Sequence, residues 1–271
     1  MLDTILDSPL SQWLCQDTEA TDHIVISSRI RLARNFDNIL FTNREDTVSL
    51  EKVNTISRCL LPILKKTDEH QYTNISLEQL SQRERAVLVE KHLMSPALEE
   101  QLPYRNLIVS DDASIAIMVN EEDHLRIQSM APGLKLQQAY NHAVQIDKAI
   151  EAKYPYAFDE RFGYLTACPT NVGTGLRASV MLHLPALRIT GRIGRVLDVV
   201  NKVNLDVRGF YGEGYEAVGD MYQVSNKVSL GVTNEEIINS VKSITQKIIE
   251  QERNAREYLK TKGIDFEDRV C

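Results

Sequence analysis

The stretch from residue 106 to residue 120 constrains the fold of this chain more than any other. It reads NLIV, then SDD, then ASIAIMVN, which predicts a β-strand, a tight turn and a second β-strand. The flanking segments 46–102, 124–130 and 134–154 carry apolar residues three or four positions apart, a spacing that predicts amphipathic helices. This succession of strands and helices indicates one α+β domain, with a small helical segment inserted near its start.

Two of the predicted helices begin with a capping signal. Ser76 is followed by Gln79, and Thr233 by Glu236, and both pairs have the spacing of a capping box. The last helix is expected to end near Gly263, since glycine is common just after a helix C-terminus. Further strands are predicted at residues 163–171, at residues 176–187, where a buried segment is the alternative, and at residues 221–230.

Composition excludes several classes of protein. The 271 residues are 43% hydrophobic and 25% charged, as in an ordinary globular domain, and contain no run of 18 apolar residues that predicts a membrane span. The N-terminus has neither the basic nor the apolar region of a signal peptide, so a cytoplasmic location is expected. A net charge of −7 argues against nucleic-acid binding. The four cysteines are far apart, which predicts neither a disulfide framework nor a zinc site.

The segment SSRIRLAR, residues 27–34, carries two arginines on one side of a predicted strand. Arg29 and Arg31 alternate with Ile30 and Leu32, so the two guanidinium groups project from the same face. They repel each other unless an anion lies between them, and phosphate suits the planar guanidinium fork. The alternative is a solvated edge strand that uses its cations against aggregation.

The segment NEEDHLR, residues 120–126, places three consecutive carboxylates directly after a predicted strand. Alternation sends Glu121 and Asp123 to one face and Glu122 to the other, with the cation Arg126 just beyond. Like charges at this spacing repel, so at least one carboxylate must face a cation or water. A solvated acidic turn is the alternative to a functional site.

The segment CPTNVGTGLRASV, residues 168–180, brings a cysteine and an arginine to neighbouring strand ends. Cys168 becomes a thiolate only if cations stand close, and Arg177 is the candidate cation. The alternative is a small buried side chain, the usual fate of a free cysteine.

A glycine-rich turn, RGFYGEGYEAVG at residues 208–219, adds Arg208 and the carboxylates Glu213 and Glu216. Its glycines do not fit GxGxxG, and the chain has no GxxxxGK[ST], HRD or DFG, so dinucleotide-binding folds, P-loop enzymes and ordinary protein kinases do not match. On one sheet, these segments would line a groove with cations at one end and carboxylates at the other. Phosphoryl transfer to a positively charged nucleophile requires such a groove, because cations bind the polyphosphate and carboxylates bind the cationic acceptor.

Four of these stretches, SSRIRLARN, KHLMSP, NEEDHLR and CPTNVGTGLRASV, resemble motifs of the ATP:guanido phosphotransferases, the phosphagen kinase family that includes arginine and creatine kinases. The first two resemble most closely the bacterial branch that phosphorylates arginine in proteins. The motifs occur in the family's order over about residues 22–255, so the resemblance is specific. It implies a phosphagen-kinase-like catalytic domain over 22–255, with an antiparallel sheet flanked by helices. Residues 1–21 would be an N-terminal segment and residues 256–271 the start of a truncated C-terminal region.

The resemblance implies ATP as phosphoryl donor, with Mg²⁺ arriving on the nucleotide and no metal site of the protein's own. The residues it assigns to the nucleotide are mostly cations and small residues that surround the phosphates. They are Ser27, Ser28, Arg29, Ile30, Arg31, His92, Arg126, Arg177, Ala178, Ser179, Val180, Arg208, Gly209, Tyr211, Gly212 and Glu213.

The resemblance also implies the catalytic groups. Glu122 would orient and deprotonate the acceptor guanidinium, and Cys168, as a thiolate, would stabilise it from the other side. The second carboxylate is Glu213 or Glu216, with Glu213 favoured. The chain departs from the animal enzymes at Tyr211, where they have an arginine, so one phosphate-binding cation is missing or replaced.

The expected substrate is arginine on protein surfaces. Animal phosphagen kinases carry a preceding helical domain of about a hundred residues, whereas only about twenty residues precede the first motif here. An acceptor site open on that side suits proteins with exposed arginines, in stress response and protein quality control. The resemblance further implies an activator protein, Clp protease components and, with the C-terminal region, a dimer. The alternatives are a kinase for free arginine or another small guanidino compound, and a catalytically silent nucleotide-binding adaptor.

Overall fold

Ten strands lie within the part of the chain that the computed structural model describes, residues 2–8, 11–15, 23–41, 46–100, 103–209 and 217–263. The strands are β1 Val25–Arg34, β2 Tyr72–Ser76, β3 Asn106–Ser110, β4 Ile115–Val119, β5 Leu125–Pro132, β6 Phe158–Asp159, β7 Gly163–Tyr164, β8 Leu176–His183, β9 Leu205–Gly209 and β10 Met221–Asn226. Eight of them form one antiparallel sheet in the order β2-β3-β4-β5-β1-β8-β10-β9, and β6 pairs with β7.

The described ranges also contain eight α-helices, so the α+β class and the antiparallel sheet with flanking helices are confirmed. They are α1 Leu2–Asp7, α2 Thr47–Arg58, α3 Leu61–Thr67, α4 Gln82–Glu90, α5 Leu136–Glu151, α6 Pro185–Ile189, α7 Ile193–Lys202 and α8 Asn234–Thr261. Within those ranges, none of the helices combines the length and the apolar character needed to cross a bilayer.

The central strand β1 divides the sheet into two chemically different faces. Its residues Ile30 and Leu32 are fully buried in the main core, where α5 and α8 pack against the sheet. The strand partners Ala178 and Ile127 continue this apolar face on β8 and β5. A second core, which includes Trp13, lies on the opposite face over β3 and β4. This arrangement leaves the polar side of β1 and β8 as a site for charged residues.

Three sequence predictions about secondary structure are wrong. The segment 46–102 is not wholly helical, because Tyr72–Ser76 form the strand β2. Residues 124–130 are not helical: Leu125 to Pro132 form β5, which pairs with both β1 and β4. Two neighbouring strands supply hydrogen-bond partners along its length, and this overrides a local periodicity that also fits a helix. The predicted cap at Ser76 makes no capping hydrogen bond, because Ser76 ends the strand β2. The capping box forms instead at Ser81 with Glu84, at the start of α4.

Other predictions are confirmed. The stretch 106–120 contains the hairpin of β3 and β4, and Thr233 and Glu236 form a capping box at the start of α8. Gly263 follows that helix with a φ of +65°, the left-handed conformation expected after a helix end. The strand predicted at residues 163–171 is much shorter in the structure, where these residues form only a two-residue strand and a short 3₁₀ turn.

A buried ion pair fixes the end of β1. Arg34 and Asp147 are both almost fully buried, and Nη2 of Arg34 lies 2.8 Å from Oδ2 of Asp147 on α5. Nε of Arg34 donates to the same carboxylate, and Nη1 donates to the backbone oxygen atoms of Ala33 and Thr174. The guanidinium also stacks on the Tyr164 ring at 3.6 Å from its centre. These contacts join β1 to α5 and to the loop before β8.

Replacing Asp147 by Asn should therefore lower the free energy of unfolding by about 3–5 kcal/mol, because the Arg34 charge remains buried without its counter-ion. Urea unfolding followed by circular dichroism measures this loss, with the exposed Asp37→Asn as the matched control. The double variant Arg34→Met/Asp147→Leu should lose less free energy of unfolding than Arg34→Met and Asp147→Leu lose together when each is made alone. A loss below about 1 kcal/mol for Asp147→Asn would contradict a structural role for the pair.

Candidate active site

Five arginines project from the same face of the sheet, opposite the main core. Arg31 of β1 lies directly across from Arg177 of β8, and Arg126 of β5 lies across from Ala33, so all three share the face of Arg29. On the outer strands, Arg208 lies opposite Gln223, which continues the same row. The sequence prediction that Arg29 and Arg31 share one face is therefore confirmed, and strands distant in sequence add three more cations to it.

These cations are partly desolvated and repel one another. Burial, followed by the charges of Arg177 and Arg126, lowers the pKa of Arg29 to about 10. Burial and then the charge of Arg29 lower the pKa of Arg31 well below its ordinary value. The Nε atoms of Arg31 and Arg177 are buried and have no hydrogen-bond partner among the described residues. A site with excess positive charge and unused donors is suited to a polyanion.

Polar neighbours orient part of the cluster. Nη2 of Arg29 donates to Oε1 of Gln223 at 2.8 Å. Nη2 of Arg177 donates to Oγ of Ser225 at 3.0 Å and to Oδ2 of Asp206 at 3.2 Å. Nε of Arg208 donates to the same Asp206 oxygen at 2.7 Å, although the Arg208 side chain is 72% exposed. Asp206 therefore neutralises the outer end of the row, whereas the charge of Arg31 is offset only in small part, by Glu121.

In the acidic loop between β4 and β5, the carboxylates of Glu121 and Glu122 have different surroundings. Glu121 is buried, lies 2.8 Å from Nη1 of Arg126 and accepts a hydrogen bond from Oγ of Ser95 at 2.6 Å. Its other oxygen accepts from the backbone N–H of Glu122 at 2.8 Å. Glu122 is 42% exposed, and its Oε2 lies 3.4 Å from Nη2 of Arg126. Glu121 thus holds the loop and Arg126 in place, while Glu122 remains accessible.

The loop that carries Cys168 is fixed from the opposite side of the groove. Sγ of Cys168 lies 3.0 Å from Oγ1 of Thr170. Oγ of Ser229 donates to the backbone oxygen atoms of Thr170 at 2.7 Å and Val172 at 2.8 Å. Gly173 has a φ of +108°, and a Cβ there would lie 2.3 Å from the Ser229 backbone oxygen. Only glycine fits this close approach, so the loop has one well-defined path.

Asp123 connects the two loops directly. Its Oδ1 accepts a hydrogen bond from the backbone N–H of Ala167 at 2.6 Å and another from Nδ2 of Asn35 at 2.7 Å. Asn35 also accepts from the backbone N–H of His124 and donates to the backbone oxygen of Leu165. The residues on either side of this junction are Glu122 and Cys168. The sequence places Asp123 only on one face of a strand and does not point to Asn35, because neither residue has a local signal for this contact.

The two loops and the arginines enclose one polar cavity of about 200 Å³. Its charged and nucleophilic lining residues are Arg31, Glu122, Arg126, Cys168 and Arg177, and Ala33, Thr170, Asn171 and Gly175 complete the wall. Segments that are distant in sequence thus line one cavity, in which Arg31, Arg126 and Arg177 lie beside Glu122 and Cys168. The predicted division into a cationic end and an acidic end stays a prediction, because Glu213 and Glu216 lie outside the described residues. No feature of the sequence singles out Thr170 or Asn171 as a lining residue.

A smaller cavity of about 20 Å³ adjoins Arg29 on the same face. It is lined by Ser27, Arg29, His92, Met130, Ser179, Met181 and Gln223. Burial, followed by the charge of Arg29, lowers the pKa of His92 to about 4, so this imidazole is neutral at pH 7. Ser27, His92 and Ser179 thus lie beside Arg29, and the neutral ring adds no further positive charge. Their contact with the nucleotide stays a prediction.

Four residues of the predicted nucleotide set point away from the groove. Ile30, Ala178 and Val180 are fully buried in the main core, on the other face of β1 and β8. Ser28 is also fully buried; its Oγ donates to the backbone oxygen of Gly133 and accepts from the backbone N–H of Lys135. Strand alternation is the reason that these side chains do not line either cavity, so only their backbone atoms could take part in the predicted nucleotide site.

Gly209 ends β9, next to Arg208. The remaining predicted site residues lie outside the described ranges. They are Tyr211, Gly212, Glu213 and Glu216.

Comparison with known proteins gives matches over most of the chain. Residues 54–255 match the family model for the ATP:guanido phosphotransferase C-terminal catalytic domain. The protein-arginine kinase of Halothermothrix orenii is 48% identical over 270 residues, which are 99% of this chain and 76% of that protein. The protein-arginine kinase of Caldanaerobacter subterraneus is 48% identical over 248 residues, which are 91% of this chain and 74% of that protein.

Solved structures share the fold. A duplicated taurocyamine kinase from Schistosoma mansoni, with bound components of a transition-state analogue, matches 91% of this chain and 36% of its own. The TM-score is 0.76 and the identity 26%. Lombricine kinase matches 98% of this chain and 74% of its own, with a TM-score of 0.71 and 24% identity, a likeness of fold alone.

The repulsion in the groove gives a testable prediction. Replacing Arg31 by Gln removes a desolvated charge, so the melting temperature without ligand should stay the same or rise. The increase in melting temperature on addition of inorganic tripolyphosphate, large for the unchanged protein, should be mostly lost. Differential scanning fluorimetry measures both, with the exposed Arg83→Gln as control. A variant that melts several degrees lower without ligand, or keeps the full tripolyphosphate shift, would show that Arg31 is not part of an anion site.

Proposed function

The chain belongs to the ATP:guanido phosphotransferase family, and on this premise we propose that it transfers the γ-phosphoryl group of ATP to arginine side chains of proteins. The observation that carries the proposal is the cavity in which Glu122, Cys168 and three arginines meet. The choice of protein-bound arginine is supported by relatives that are named protein-arginine kinases and are 46–48% identical over nearly the whole chain.

The arginine row would bind the nucleotide phosphates. Arg31 and Arg177 lie opposite each other and have unused donors, so they are placed to accept a polyphosphate between them. The transition state of phosphoryl transfer spreads negative charge over three equatorial oxygen atoms, and fixed guanidinium groups neutralise that charge without reorganising. Arg29 and the neutral His92 beside it extend the site toward the nucleoside.

Mg²⁺ would reach the site on the nucleotide. The described carboxylates around the groove are already engaged by arginines: Glu121 pairs with Arg126 at 2.8 Å, and Asp206 pairs with Arg208 at 2.7 Å. This donor set does not suit a divalent ion held mainly by the protein. It suits an ion coordinated by phosphate oxygens and water, which is the usual mode for Mg²⁺ in kinases.

Glu122 is the group we assign to the acceptor. A guanidinium is protonated at any physiological pH and has no lone pair to offer, so it must lose a proton as it attacks. In the proposed step a terminal guanidinium nitrogen forms a bond to the γ-phosphorus, the bond from that phosphorus to the bridging oxygen breaks, and ADP leaves. The proton passes to the Glu122 carboxylate, which is accessible at the rim of the cavity.

Cys168 and Asp123 would complete the acceptor side. Cys168 lines the same cavity as Glu122, and as a thiolate it would stabilise the positive charge of the incoming guanidinium. The hydrogen bonds of Asp123 to Asn35 and Ala167 hold the two loops at a fixed separation. We retain Glu213 as the second catalytic carboxylate, with Glu216 as the alternative.

The biological setting is part of the same proposal. We propose residues 22–255 as the catalytic domain, with residues 1–21 as an N-terminal segment and 256–271 as the start of a C-terminal region. Proteins with exposed arginines would be the substrates, in the cytoplasm, during stress response and protein quality control. An activator protein and Clp protease components are the proposed partners, and a second copy of the chain is a further one where the C-terminal region is present.

Incubation with Mg²⁺ and ATP, with casein or with free L-arginine as acceptor, tests the function. Mass spectrometry without acid treatment should find phosphate on casein arginines and none on the free amino acid. Glu122→Gln should lower the rate of transfer by about a hundredfold or more, because the proton acceptor is lost, while ATP affinity stays nearly unchanged. Cys168→Ser should lower the rate less, because it removes charge stabilisation and leaves the base in place.

The exposed Glu250→Gln, on the helix α8, is the matched control and should transfer phosphate at the unchanged rate. Phosphate on free arginine as efficiently as on casein would reassign the protein to the kinases of small guanidino compounds. Nucleotide binding without any transfer would identify a silent adaptor, and a large loss of ATP affinity in Glu122→Gln would reassign Glu122 to nucleotide binding.

A further inference from the structure

A cluster of imidazole and carboxylate groups lies at the end of β4 that is remote from the proposed active site. Asp111 and Asp112 form the turn before β4, whereas Glu122 follows the other end of the strand. The five residues of β4 between them span roughly 17 Å. His70, which precedes β2, reaches this turn from the neighbouring strand. The proposed phosphoryl transfer uses none of these residues.

The spacing of the three side chains fits a single metal ion. Nδ1 of His70 lies 3.1 Å from Oδ1 of Asp111 and 3.7 Å from Oδ1 of Asp112. The three ligand atoms all lie within 4.8 Å of one another. A tetrahedral ion with bonds of about 2.0–2.2 Å holds its ligand atoms about 3.3–3.6 Å apart. Small rotations of these side chains would therefore suffice to bind the ion.

The turn itself holds the two carboxylates in place. Oδ1 of Asp112 accepts hydrogen bonds from Oγ of Ser110 at 2.7 Å and from the backbone N–H of Ser114 at 2.9 Å. Oδ1 of Asp111 accepts from the backbone N–H of Asp112 at 3.1 Å. The arrangement is ordered before any ion binds, so binding costs little conformational entropy.

A second layer orients His70. Its ring stacks on that of His142 from α5, with centroids 5.6 Å apart and planes 26° apart. Nε2 of His142 lies 2.9 Å from Oδ2 of Asp68, and the Tyr72 hydroxyl donates to that same oxygen at 2.6 Å. The other oxygen of Asp68 accepts from the backbone N–H of His70 at 3.1 Å. Such outer groups fix ligand orientation in metal sites, and their loss typically weakens binding.

We propose that His70, Asp111 and Asp112 bind one divalent transition-metal ion, of which Zn²⁺ is the best fit. One imidazole and two carboxylates form a nitrogen and oxygen set suited to zinc, with the fourth position open to water. His70 is 31% exposed and Asp111 45% exposed, so an ion can reach them from solvent. The bound ion would join the segment before β2 to the turn between β3 and β4. The sequence expectation of no zinc site rested on cysteine spacing, and this site contains no cysteine.

The test is isothermal titration of the metal-free full chain with ZnCl₂. One Zn²⁺ per chain should bind, with a rise in melting temperature, and millimolar Mg²⁺ should not displace it. His70→Asn and Asp112→Asn should each weaken binding by about tenfold or more. The Asn amide oxygen at position 112 can still accept the turn hydrogen bonds, so the metal-free melting temperature should change little. His23→Asn, which removes an exposed imidazole elsewhere and keeps a residue tolerant of positive φ, is the control and should bind Zn²⁺ unchanged.

Replacing Zn²⁺ by Co²⁺ gives a second readout, because Co²⁺ bound in a four-coordinate site produces strong visible absorption bands. These bands should appear in the unchanged protein and in His23→Asn and be absent from His70→Asn. No saturable Zn²⁺ binding, unchanged affinity in His70→Asn, or displacement by Mg²⁺ would each overturn the proposal. None of these results depends on ATP or phosphoryl transfer, so they leave the proposed function untouched.

Discussion

Arg29 and Arg31 project two residues apart from one face of β1, where burial and the charges of neighbouring arginines lower the pKa of both. This unfavourable arrangement persists because the other face of the same strand carries Ile30 and Leu32, which are fully buried in the main core. The apolar face fixes the register, and the register brings Arg177 directly opposite Arg31. Folding thus concentrates positive charge where an anion can relieve it, and the proposed affinity for phosphate would be a consequence of the core.

The end of β1 extends this control to the loops that carry the reactive groups. Arg34 turns back toward α5 and binds Asp147, while Asn35 hydrogen-bonds Asp123 in the acidic loop. Asp123 in turn holds Ala167, one residue before Cys168. A single strand therefore positions the arginines of the groove, the carboxylate of Glu122 and the thiol of Cys168 relative to one another. That relation is what a reaction between two charged substrates requires.

A feature of the fold or the site could be predicted from the sequence only when the residues that determine it lie close together in the chain. The alternation at Arg29 to Leu32 is local, so the two faces of β1 were predictable, and the four separated motifs identified the family. Residues 124–130 fit a helix locally, and only pairing with β1 and β4 makes them a strand. The inward orientation of Ile30, Ala178 and Val180 follows from the same local alternation, so it could have been predicted once the strands were placed.

Contacts between distant residues were not predictable. Asp123 and Ala167 are 44 positions apart, and His70 and Asp111 are 41 apart. Neither pair belongs to a short motif with a fixed spacing, and each contact depends on how loops and strand ends meet after folding. The sequence accordingly indicated the reactive groups of the groove, while the residues that hold them together, and the His70 cluster at the other end of β4, emerged only from the structure.

The central claim is that the arginine-bearing face of the sheet binds the nucleotide. The most direct measurement is ¹⁵N-edited NMR of the arginine side-chain Nε–H groups during titration with ADP and Mg²⁺. The resonances of Arg29, Arg31, Arg126 and Arg177 should shift together and saturate at one equivalent, while those of Arg188, Arg192 and Arg195, on the helical side, stay in place. Saturable shifts confined to the helical arginines, with the four groove arginines unmoved, would contradict the account.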